Sequence, residues 1–114
     1  MQSMHQYPSD IAFTETVKAI QTQKGSRRAY ANMERNGGWE TDISEDLQRF
    51  IEAQISVFLA TANSEGQPYI QHRGGPPGFL RVLDEKTIAF VDYNGNRQFI
   101  SSGNLHDNPK FHLI

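Results

Sequence analysis

Two short stretches of this 114-residue chain carry residue types suited to holding an anion. His72 and Arg73 run directly into Gly74 and Gly75, and residues without side chains let backbone N–H groups come close to a ligand. Continued by Pro76, Pro77 and Gly78, the same run also reads as a tight interstrand loop in which glycines meet dihedral demands and prolines stiffen the turn. Asn94, Gly95, Asn96 and Arg97 form the second stretch. At a strand-to-helix junction the backbone N–H groups and the helix dipole favour phosphate, and an adjacent arginine can grip two of its oxygens. An ordinary helix cap with a solvated arginine is the plain alternative. Ser101, Ser102, Gly103 and Asn104 either add hydroxyl and amide donors or mark the helix exit, and Gly103 reads as the left-handed residue of that exit.

Other chemistries lack their residues. The chain has no cysteine, which removes disulfides, thiolate metal sites and cysteine nucleophiles and suits a reducing cytosol. His5, His72, His106 and His112 show no metal-ligand spacing with one another or with carboxylates. Neither a Gly-x-Ser-x-Gly elbow nor a Gly-Lys-Ser/Thr phosphate loop is present, so hydrolase and nucleoside triphosphate chemistry are not indicated. With 11 Lys plus Arg against 13 Asp plus Glu, the formal charge is -2, and no global field draws in nucleic acid or an anionic membrane. No apolar run approaches the length of a membrane span. A cytoplasmic protein is the expectation.

The elements that must position these groups follow from patterning. Length argues for a single domain, 1–114, with a helical part over 1–54 and strands over 55–114. Phe13, Val17 and Ile20 repeat at helical spacing, with Thr14 or Ser9 as cap and Gly25 just past the end. Ala29, Tyr30 and Met33 suggest a second helix within Ser26 to Asn36, stopped by Gly37 and Gly38; Tyr30 and Trp39 read as packing anchors. Thr41 or Ser44 can cap a third, whose first turn holds Glu45 and Asp46 and whose inner face is Leu47, Phe50 and Ile51. Ile55 to Ala62 and Pro68 to Arg73 read as a β-hairpin around Asn63 to Gly66. Phe79 to Leu83 and Thr87 to Asp92 extend it to a four-strand meander, a helix starts at Asn96, and Phe111 to Ile114 is a last strand. The fold class is α+β.

From Phe58 onward the strings "HRGGPPGF", "VDYNGNR" and "SGNL…NP", in that order, resemble the flavin-nucleotide-binding branch of the pyridoxamine 5'-phosphate oxidase-like, FMN-binding split-barrel family; "GSRRAY" and "GGW" are also similar to it. The resemblance implies a six-stranded antiparallel split β-barrel with N-terminal helices, dimerising to hold FMN in clefts between subunits. It implies that Arg73, Asn96 and Arg97 hold the flavin phosphate, that Gly74 lies where backbone approaches the ring or ribityl chain, and that Asn104 lies in a "GN" following the helix. An FMN-dependent oxidoreductase of small molecules is the implied function, with no protein acid or base required because the flavin transfers hydride or electrons itself. A flavin storage or sensing protein, or a split barrel holding haem or a deazaflavin, are the alternatives. Relatives continue beyond the position of Ile114, so the sequence here is either a fragment or a shortened protein, and a second copy is expected to cover the open sheet edge. The residues with which the vitamin-forming oxidase binds its substrate fall past that position, and vitamin B6 oxidation is not implied.

Overall fold

A computed structural model describes residues 5–91 and 98–114. Contacts divide the chain into two compact units, 1–42 and 43–114. The first unit begins with a 3-10 turn, Pro8–Ile11, followed by helices α1, Glu15–Lys24, and α2, Arg27–Arg35. Thr14 caps α1 by accepting the Val17 N–H, and Gly25 ends it at φ 89, a left-handed conformation that costs glycine nothing. Phe13 sits between Tyr30 and Trp39, with ring centroids at 5.4 and 5.5 Å. The inward residue of α2 is Glu34, buried and paired with Arg27 at 2.6 Å, two turns earlier on the same face.

The second polar tie of this unit links Asp10 to Lys18 at 3.0 Å. Asp10 also accepts the backbone N–H groups of Gln6 and Tyr7. The hydrogen bond from Lys18, then that from Tyr7, holds the Asp10 carboxyl below the usual carboxylate range, and the same bond to Asp10 raises Lys18. A folded-state pKa below the unfolded one stabilises the unit above the unfolded value of about 3.9, and the contribution disappears as pH falls through the folded pKa. The N-terminal unit is therefore expected to loosen in acid. An NMR pH titration of the α1 amides checks this; a Lys18→Ala variant is expected to lose much of the acid sensitivity.

The second unit opens with α3, Glu45–Glu52, capped by Ser44, whose hydroxyl accepts the Leu47 N–H. Of the expected inner face only Ile51 packs at the core; Phe50 is 65% and Leu47 38% exposed. The difference comes from Glu52, which turns inward because its carboxylate accepts the Val82 N–H at 3.0 Å and its carbonyl accepts the Gly78 N–H. This ties α3 to the strands.

The hairpin forms as expected: β1, Ser56–Ala62, pairs antiparallel with β2, Pro68–Gly74. Its turn is fixed by the Asn63 side chain, which accepts the N–H groups of Glu65 and Gln67, and by Gly66 at φ 86. β5, Phe111–Leu113, pairs with the other edge of β1, giving the order β2-β1-β5. β3, Leu80–Asp84, and β4, Thr87–Phe90, make a separate two-stranded sheet.

The expected four-strand meander is thus broken, and the barrel is not closed among the described residues. The physical reason lies between β2 and β3. Pro76 and Pro77 have no N–H to donate, the Phe79 N–H closes a turn onto the Pro76 carbonyl, and Val82 donates to Glu52 instead of to a neighbouring strand. Val57, Phe79 and Leu80 form the core where the two sheets meet, edged by Ile51, Ile88, Phe90 and Leu113.

α4 spans Ile100–Asp107, preceded by Phe99 at φ 56, which interrupts helical geometry there; the expected helix start at Asn96 lies outside the described residues. Gly103 lies inside α4, donating to the Phe99 carbonyl, and is not the helix exit; Asn104 lies inside it too, not after it. No described helix is long and apolar enough to cross a membrane.

Candidate functional site

Alternation along a strand decides which residues can act together. On β2, Tyr69, Gln71 and Arg73 face inward, opposite Thr61, Leu59 and Val57 of β1. His72 faces the other way and stacks edge-on against Phe58 at 5.3 Å. His72 and Arg73, adjacent in sequence, therefore cannot grip one anion.

Arg73 is half-buried, with its guanidinium carbon 5.6 Å from the centroid of Phe90. One of its terminal nitrogens donates to the Gln71 side-chain oxygen at 3.2 Å. That same oxygen accepts the Ser101 hydroxyl at 2.9 Å, so α4 and β2 share one acceptor. Two positions along, the Asn104 amide donates to the Thr61 hydroxyl at 3.0 Å. These polar ties fasten α4 over the inner face of the hairpin, with Ser101 2% and Thr61 4% exposed. A guanidinium is the side chain whose planar fork of N–H donors matches phosphate or carboxylate oxygens.

The expected site residues are distributed as follows. Gly74 ends β2 opposite Ser56, where an added Cβ would lie 3.3 Å from the Ile55 carbonyl oxygen and from His72. The Gly75 N–H is already committed to that Ile55 carbonyl at 3.0 Å. Asn104 stands over Thr61, four β1 residues from Val57 and so about 13 Å from the Arg73 position at roughly 3.3 Å per residue. The two would meet different parts of an extended ligand. Asn96 and Arg97 lie outside the described residues. Gln71 and Thr61 were not singled out from sequence; the signal for Gln71 was its spacing of two from Arg73 on a strand.

Phe90, which carries Arg73, also lines a cavity of about 160 Å³ together with Ile43, Leu59, Lys86, Ile88, Leu105, Phe111 and Leu113. Pockets for drug-sized ligands run to about 300–1,000 Å³, so a whole flavin does not enter this interior. No group of His, Asp or Glu able to hold a metal occurs among the described residues.

Comparison with protein families matches residues 43–114 to the family described as pyridoxamine 5'-phosphate oxidase. The chain belongs to that family. Members commonly bind flavin, and the family-level function is that of flavin-binding oxidoreductases. The matched segment coincides with the second compact unit and includes Gln71, Arg73, Ser101 and Asn104. No curated protein and no solved structure matches the chain.

Proposed function

We propose that this family member binds FMN and works as a flavin-dependent oxidoreductase on a small-molecule substrate. The observation that carries the proposal is the half-buried Arg73 guanidinium, laid on Phe90 and oriented by Gln71. A guanidinium held in this way suits a phosphate ester, whereas a loose surface arginine would first have to be ordered. Arg97 and Asn96 supply the second cation and a further donor to the same phosphate, and Gly74 and Asn104 contact the remainder of the cofactor. When bound, the flavin supplies hydride or electron transfer; the chain's residues bind and orient it and need provide no catalytic acid or base.

A second copy of the chain completes the cleft. The outer face of the β2-β1-β5 sheet supports this, since Phe58 (47%), Ile70 (62%) and Ile114 (77%) leave adjoining apolar area exposed. A sedimentation experiment that finds only monomer at micromolar concentration would remove that part. The absence of cysteine suits a cytoplasmic location.

The test is visible absorption of the purified protein with and without added FMN. A bound flavin spectrum is expected, and reduction by NADH or NADPH separates an oxidoreductase from a storage protein. A protein that remains colourless after FMN is added and desalted, or that carries haem or a deazaflavin instead, overturns the reading.

A further inference from the structure

The cavity of about 160 Å³ lies between the two sheets. Ile88 and Phe90 reach it from β4, Leu59 and Leu113 are partners across β1 and β5, and Leu105 comes from α4. Leu59, 2% exposed, makes the floor, whereas Phe111, 60% exposed, and the exposed Lys86 mark the mouth. Every lining side chain except Lys86 is a hydrocarbon, so water beyond the mouth would find no side-chain partner for its hydrogen bonds.

Each wall is fixed from behind. β5 is held in register on β1 by Leu59 opposite Leu113 and Thr61 opposite Phe111, and β4 on β3 by Leu80 opposite Phe90 and Val82 opposite Ile88. α4 is held by the bonds from Ser101 to Gln71 and from Asn104 to Thr61. A gap framed in this way does not collapse, and apolar atoms that fill it restore dispersion contacts to its lining. An apolar cavity of about 150 Å³ lined by leucine, isoleucine and phenylalanine is large enough to take benzene.

We propose that this cavity is a binding site for a monocyclic aromatic molecule of about six to eight heavy atoms, with any polar substituent turned out past Phe111 toward Lys86. The ring would lie among Leu59, Ile88, Leu105 and Leu113 and against the face or edge of Phe90. The inference does not depend on the FMN reading, since the site is too small for a flavin and its ligand needs no phosphate.

The probes are benzene, toluene and 1,3,5-trimethylbenzene, titrated into the full chain and followed by methyl NMR. Saturable shifts confined to the methyls of Leu59, Ile88, Leu105 and Leu113 are expected with benzene and toluene. The trimethyl compound is more apolar but wider, and is expected to bind at least tenfold more weakly than toluene. Adsorption on exposed apolar surface would instead tighten by about fourfold for each added methyl and would move the exposed Ile70 as much as the lining residues. Ile88→Phe and Leu105→Phe each place a ring in the cavity from a different element, so that one serves should the other fail to fold. Either is expected to lose at least tenfold in toluene affinity, with a thermal midpoint no lower than that of wild type. Adsorption behaviour, the absence of saturable shifts up to the solubility of toluene, or wild-type affinity in a folded filling variant overturns the proposal.

Discussion

Replacing Arg73 with alanine is expected to weaken FMN binding about 10- to 100-fold while leaving riboflavin binding within about twofold. The expectation comes from where the side chain is held. Arg73 lies on the inner face of the hairpin, half-buried, over the Phe90 ring and beside the Gln71 oxygen. A charge-assisted contact made there is stronger than one made by a solvated arginine, since less water competes for it and fewer rotamers are lost on binding. Arg73→Lys is expected to recover only part of the loss, because an ammonium carries the charge but not the planar fork that lies flat on Phe90. Parallel titrations with the two flavins check both variants. Equal weakening of FMN and riboflavin would mean that the side chain supports the fold and does not meet the phosphate.

A methyl group at position 75 is expected to be the most damaging one that can be added at a described glycine of the second unit. The Cβ of Gly75→Ala would stand 2.8 Å from both Cβ and Cγ of Phe79. Phe79 is 3% exposed in a core that otherwise contains only Val57, Leu59 and Leu80 as buried apolar residues among those described. The crowded atoms are the root of a packed side chain, not a flexible end, and Gly75 itself is pinned by its hydrogen bond to Ile55. Overpacking of this kind costs about 1–3 kcal/mol, which lowers the midpoint of thermal unfolding by roughly 5–20 °C in a domain of this size. Gly66→Ala makes a useful contrast, because an added Cβ there meets nothing within 4 Å and only the positive φ of 86 resists it. A Gly75→Ala protein that melts with wild type would contradict the packing described for the loop between β2 and β3.

What was legible in the sequence was what short-range chemistry decides. The caps at Thr14 and Ser44, the stop at Gly25 and the Asn63 to Gly66 turn depend on residues within one turn of each other, and each is found where it was expected. The α+β class and the last strand were legible for the same reason. Elements whose hydrogen bonds go to distant partners were not. Glu52 takes the Val82 N–H thirty residues away, which both rotates α3 and parts β3 from β2. Gly103 carries the residue type of a helix exit, yet Ser101 and Asn104 on either side of it bond to Gln71 and Thr61 and hold α4 together through that point. In the site, Arg73 was identified for its charge beside glycines, whereas the groups that orient it, Gln71 and Phe90, reach it from the strand face and from another sheet. His72 shows the same lesson in reverse, since its closeness in sequence to Arg73 puts it on the opposite face.

The most direct measurement is a crystal structure of the protein with FMN bound. Phosphate oxygens within about 3 Å of the Arg73 guanidinium, with the carboxamide of Gln71 still turned toward it and the ring outside the interior cavity, are the expected result. A phosphate lodged on the outer face near His72, or one that leaves Arg73 untouched, would contradict the assignment.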